Sequence, residues 1–102
     1  MSETSYFSTN EQVLDYLANF LRNNIADIDS SGLEVADYVA EGKDPEFNAK
    51  LKAMFEWIEQ QQFQMGRLKQ LLKDYGLLIF ADDQSAREYL NELYLNVFGY
   101  IN

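Results

Sequence analysis

The sequence predicts an all-α fold, a compact four-helix bundle around one long central helix. Three observations carry this prediction. Apolar residues recur at intervals of three and four through most of the chain. Helix start and stop residues punctuate those stretches at the right places. One stretch, residues 45–75, keeps a seven-residue apolar repeat for its whole length.

The first helix begins at Ser8 or Thr9, because both registers form a capping box, Ser8 with Glu11 or Thr9 with Gln12. Val13, Leu14, Leu17, Phe20, Leu21, Ile25 and Ile28 then mark one buried stripe. Asp29-Ser30-Ser31-Gly32 ends it. A short second helix follows over residues 32–41, with Ser31 and Glu34 as its capping box and Gly42 as the left-handed residue beyond its end. Asp44 as N-cap and Pro45 at the first helical position are the clearest start signal in the chain.

The third helix is expected over residues 45–75, roughly 46 Å at 1.5 Å per residue. Its seam reads Phe47, Leu51, Met54, Ile58, Gln61, Met65, Leu68, Leu72 and Tyr75, with Gln61 the one polar interruption and Gly76 the stop. Phe55, Trp57, Phe63 and Leu71 lie off the seam, as suits a helix touched on several sides. Gly66 weakens the middle by about 1 kcal/mol relative to Ala, which leaves room for a kink near residues 60–66. Residues 76–81 are expected to form a buried connector or a single strand-like stretch. The last helix starts at Asp82, Asp83 or Ser85, buries Ala86, Tyr89, Leu90, Leu93, Tyr94, Val97 and Phe98, and ends at Gly99 before the tail Tyr100-Ile101-Asn102. The organisation is thus a lead-in over residues 1–8 and one helical domain over 9–102.

At 102 residues the chain has room for one domain, and 47% apolar with 15% aromatic residues is enough for a core. Its charge is lopsided, 17 acids against 8 bases, net −9. Residues 1–44 hold nine acids and two bases, residues 45–73 three acids and five bases, and residues 74–102 five acids and one base. The third helix is the only basic element, and its Lys50, Lys52, Arg67, Lys69 and Lys73 are expected to lie under acids of the flanking helices. The excess of acids disfavours direct nucleic-acid binding, which is driven by clustered Lys and Arg. The longest apolar run, five residues from Leu77, is far short of the about 20 a membrane helix needs. Met-Ser-Glu-Thr-Ser-Tyr-Phe has neither the basic nor the apolar part of a secretory signal, so a cytoplasmic protein without membrane contact is expected.

The chain has no Cys and no His. That removes disulfides, thiolate metal sites, histidine triads and imidazole acid–base chemistry. No Ser-x-x-Lys pairs a serine with a base. Glu56 and Glu59 share a helix face without the Glu-x-x-His partners of a di-iron site. Asp82 and Asp83, with Glu88 and Glu92 downstream, read as acids facing the positive end of a helix dipole and not as a magnesium site. Asp27-Ile28-Asp29-Ser30-Ser31-Gly32 resembles the opening of an EF-hand calcium loop over these six residues, with acids at positions 1 and 3, an oxygen at 5 and glycine at 6. Position 12, where that loop needs a bidentate Glu, is Tyr38, and position 8 is Glu34. The segment reads as a helix–turn–helix corner capped by Asp29 or Ser31. No catalytic residue, cofactor or metal is therefore expected.

What remains is binding. The acids Asp27, Asp29, Glu34, Asp37 and Glu41 concentrate charge beyond what solubility needs and fit a surface that steers a basic protein. Phe55, Trp57 and Phe63 add aromatic surface of the kind enriched at interfaces. These eight residues are the expected partner-binding set. The expected function is an acidic inhibitor, of the immunity-protein, antitoxin or phage-borne kind, that blocks a basic or nucleic-acid-handling partner. The competing reading is an assembly or chaperone subunit whose heptad face joins a partner helix or a second copy of the chain.

Overall fold

The computed structural model describes residues 6–26 and 28–99. They form five helices and, among the described residues, no strand: α1 Asn10–Asn24, α2 Leu33–Glu41, α3 Pro45–Gln60, α4 Arg67–Gly76 and α5 Asp83–Phe98. The all-α expectation holds. The long third helix does not, because residues 61–66 break it into α3 and α4. The lead-in residues 1–5, Asp27 and the tail 100–102 lie outside the described residues.

The local start signals are read in the structure much as in the sequence. Thr9 caps α1, its Oγ1 accepting from the Gln12 amide at 3.2 Å. Gln12 in turn reaches back to the Ser8 amide at 2.6 Å, one residue earlier than a standard box. Asp44 accepts from the Phe47 amide at 3.1 Å ahead of Pro45. Gly42 takes φ 69° after α2. Asp82, rather than Ser85, caps α5, accepting from the Ser85 amide at 2.9 Å. At the end of α4 the left-handed residue is Leu77, φ 58°, and not Gly76. Gly76 is instead helical and buried, and a Cβ there would stand 3.4 Å from Leu21. That is ordinary van der Waals distance, so packing does not require the glycine, and Leu77 carries the backbone strain, worth about 1–2 kcal/mol.

The break between α3 and α4 has a tertiary cause. Gln61-Gln62-Phe63-Gln64-Met65 contains no Pro, Asn, Asp or Ser, and its Gln and Met are good helix formers. Only Gly66, at φ 84°, is locally suited to a turn. The ends are held from elsewhere. Arg87 of α5 donates to the Ile58 carbonyl and, at 3.1 Å, to the Gln61 carbonyl, satisfying acceptors left over where α3 stops. Asp83, one turn earlier, accepts from the Gly66 amide and from the Lys69 amide at 3.1 Å, capping α4 across the chain. Asn10 of α1 donates to the Gln62 carbonyl at 3.1 Å and accepts from the Trp57 indole at 2.8 Å.

The core runs through all five helices: Val13, Leu14, Leu17 and Leu21; Val35 and Val39; Leu51, Met54 and Ile58; Leu68 and Leu72; Leu90, Leu93 and Val97. α5 packs on α2, α3 and α4, while α1 closes the other side against α3 and α4. The helix with the most neighbours is therefore α5, which packs on three others, and not the expected third helix. The Cα radius of gyration, 13.1 Å, equals the roughly 13 Å of a packed hundred-residue domain. No helix of the described residues is long and apolar enough to cross a membrane.

Candidate functional site

The corner between α1 and α2 is built around Asp29. One carboxylate oxygen accepts from the Ser31 hydroxyl and, at 3.0 Å, from the Ser31 amide; the other accepts from the Glu34 amide at 3.1 Å. The carboxylate does the work the sequence assigned to the Ser31–Glu34 box. The Ser31 hydroxyl first, and the Glu34 amide second, hold its pKa below 3.8. Both oxygens are thus engaged in capping. Asp82 and Asp83 are engaged the same way, each at the start of a different helix. Among the described residues no three acids gather as metal ligands do.

Gly32 at φ 80° completes the corner. A Cβ there would collide with the Leu93 side chain and stand 3.6 Å from Val97, so the glycine lets α2 lie against α5. Tyr89 of α5 fastens the same corner, its hydroxyl donating to the Ser30 carbonyl at 2.6 Å. Burial, and then the charge of Asp29, push that hydroxyl from 10.0 up to about 12. The folded chain keeps the proton where the unfolded chain releases it. Stability is therefore indifferent to this group below pH 10 and falls as pH rises from 10 towards 12. Tyr16, also raised by burial, adds to the same loss. Tyr89→Phe is expected to flatten the alkaline limb of a urea-midpoint profile; a profile as steep as that of the unaltered chain would exclude Tyr89 as its source.

From this corner α2 presents Glu34, Asp37 and Glu41 on its outer side, all exposed. Their spacing of three and four residues puts them on one strip. Lys43 meets Glu41 at 3.4 Å, with both side chains largely in solvent. The expected cover of basic residues by acids is realised once, where Arg67 meets Glu11 at 2.9 Å. Lys50 instead lies over the Tyr16 ring at 4.8 Å, and Lys69 donates to the Ala81 carbonyl at 3.3 Å. Lys43–Glu41 and Arg67–Glu11 are the two ion pairs among the described residues, so most of the negative charge is not neutralised within the fold.

The aromatic members of the expected set are placed differently from one another. Phe55 is 4% exposed and sits among Phe20, Tyr94 and Phe98, with ring centroids 5.7–6.3 Å away. It presents almost no surface. Trp57 is half-buried and tied to Asn10. Phe63 is half-buried in the break, with the Arg87 guanidinium 5.9 Å from its ring centre. The structure does not bring these rings together with the α2 acids into one patch. The heptad seam is occupied by the chain's own core at Leu51, Met54, Ile58, Leu68 and Leu72, and its outward members are Gln61, Met65, 94% exposed, and Tyr75.

A second surface feature joins helices about thirty residues apart and has no sequence signature. Between α3 and α5 lies a narrow cleft lined by half-buried Tyr94 and by the core residues Phe55, Ile58 and Leu90. Glu56 and Glu59 stand on its α3 side, and Glu88 and Glu92 on its α5 side. Helical periodicity marked each helix as amphipathic, but only their pairing brings the four glutamates to one place.

Comparison with protein-family models, with curated proteins and with solved structures gives no match in sequence or in fold.

Proposed function

We propose that the chain is a small acidic protein-binding module, an inhibitor of the immunity-protein, antitoxin or phage-borne kind, that acts in the cytoplasm. It covers the basic, nucleic-acid-handling surface of a partner protein and catalyses no reaction itself. The observation that carries this reading is the excess of negative charge: a net −9 with two ion pairs among the described residues, and an exposed α2 strip of Glu34, Asp37 and Glu41, of which Glu41 alone meets a base, Lys43. Such a field raises the rate at which an oppositely charged surface is found, and it does so through space, before contact.

The test reverses charge where it is not structural. Asp29 and Glu34 are spared, the first because it caps α2 and the second because its amide is the one capped. In Asp37→Lys/Glu41→Lys, far-UV circular dichroism is expected to stay unchanged. Association with the basic partner recovered by affinity capture is expected to slow about tenfold at low salt and to lose most of its salt dependence. An association rate of the unaltered chain that does not change between low and physiological ionic strength would sink the reading.

A further inference from the structure

We propose that residues 61–66 are a hinge. Two copies of the chain open it and exchange their α4–α5 halves, and α3 and α4 of each copy become one continuous helix. The buried seam carries this inference. Leu51, Met54, Ile58, Leu68 and Leu72 are each at most 2% exposed, and they keep a single heptad register across the break. A fixed break sets no phase between the helices on either side of it, whereas a helix running through does. The seam positions inside the break, Gln61 and Met65, are exposed, and the segment holds no residue that resists helix except Gly66.

The closed chain and the exchanged pair share nearly all their contacts. The exchanging halves, α1–α3 and α4–α5, meet where α1 packs on α4 and where α5 packs on α2 and α3. Phe55 against Tyr94 and Phe98, the Tyr89 hydroxyl on the Ser30 carbonyl, and Arg67 with Glu11 all join one half to the other. Each is remade between copies after exchange, so the two forms differ chiefly at the hinge. There the closed form relies on α5: Arg87 for the Ile58 and Gln61 carbonyls, Asp83 for the Gly66 and Lys69 amides. A continuous helix satisfies the same groups within itself, since Ile58 then accepts from Gln62, Gln61 from Met65, and Gly66 and Lys69 donate to Gln62 and Met65. Gly66 takes a helical φ as readily as its present 84°.

The experiment refolds the whole chain from guanidinium chloride at millimolar concentration and measures its association by sedimentation equilibrium. Gly66→Ala strains the closed hinge and favours the helix, and nothing lies within 4 Å of its Cβ position to clash. It is expected to raise the dimer association constant about a hundredfold over the unaltered chain. Arg87→Met, which takes the donor from the break, is expected to raise it about tenfold. Gln62→Pro acts the other way. Gln61 is already extended, at ψ 156°, as suits a residue before proline, and the Gln62 amide meets no acceptor among the described residues. In a continuous helix the proline removes the bond to the Ile58 carbonyl. This variant is expected to keep its melting temperature within about 5 °C and to lose the dimer. Gly42→Ala, at a positive φ away from the hinge, is expected to leave association unchanged. In a dimer mixed from 13C-labelled and unlabelled chains, isotope-filtered NOEs are expected between Phe55 of one copy and Tyr94 of the other. Two chains of net −9 repel, so salt is expected to strengthen this dimer, the reverse of its effect on a basic partner. A dimer whose Phe55–Tyr94 contact stays within each chain overturns the proposal. So does a Gln62→Pro chain that associates like the unaltered one, or a failure of both Gly66→Ala and Arg87→Met to dimerise after millimolar refolding.

Discussion

Gly32→Ala is expected to cost about 3 kcal/mol, because two penalties fall on one methyl group. A left-handed conformation costs an L-residue about 1–2 kcal/mol, and overpacking a full core adds about 1–3 kcal/mol. The first applies at φ 80°; the second arises because the new Cβ overlaps the Leu93 side chain, itself 1% exposed. For a chain of this size the melting temperature is then expected to drop by about 12–20 °C. Gly42→Ala supplies the control, since it shares a positive φ, 69°, but nothing lies within 4 Å of its Cβ position. It is expected to lose only about 1 kcal/mol. The difference between the two isolates the contact of α2 with α5. Leu93→Ala makes room, so the double variant with Gly32→Ala is expected to be less destabilised than the two single changes together imply. Equal losses at Gly32 and Gly42 in thermal unfolding would show that the close approach carries no energy.

Arg87→Met has the next largest expected effect, about 2 kcal/mol, on the scale of hydrogen bonds to a charged group with some replacement by water. Methionine keeps much of the side-chain volume but leaves the Ile58 and Gln61 carbonyls without their donor. Asp83→Ala removes the cap from α4 and is expected to cost about 1–2 kcal/mol. The two should also differ in where protection is lost. Hydrogen exchange is expected to quicken at the Gly66 and Lys69 amides in Asp83→Ala, and at the last turn of α3 in Arg87→Met. Because both residues hold the same break, their effects should not add. A change below about 0.5 kcal/mol for Arg87→Met would place it among ordinary surface substitutions.

These two residues also explain where the sequence was readable. Thr9, Asp44 with Pro45, Gly42 and Gly99 act within their own few residues, and their roles follow from the local chain. Glu34, Asp37 and Glu41 face outward for the same reason, since period and polarity agree. Residues 61–66 are different. Their composition favours helix and the heptad runs through them, and Gly66 is the one local signal for a kink. The instruction to stop lies at positions 83 and 87. Phe55 was misjudged in a related way. It adjoins Met54 and lies four residues after Leu51, so the apolar stripe is wide there, and periodicity alone does not separate a core ring from one left for a partner. At α4 the stop shifts by one residue, with Leu77 left-handed and the Leu78 amide donating back to the Leu72 carbonyl at 3.1 Å.

The pair at positions 83 and 87 also bears on the order in which the chain takes shape during synthesis. α5 is the last of the five helices to be made. Between Gly66 and Arg87 lie about twenty residues, which at about 5–20 residues per second occupy roughly 1–4 s. Over that interval the Asn10 contact to the Gln62 carbonyl is available, but the donor for the end of α3 and the acceptor for the start of α4 do not yet exist. The growing chain passes through a stage in which residues 45–75 have the composition and period of one uninterrupted rod. The bend is imposed when the final segment arrives, so the last helix made completes the shape of the two before it.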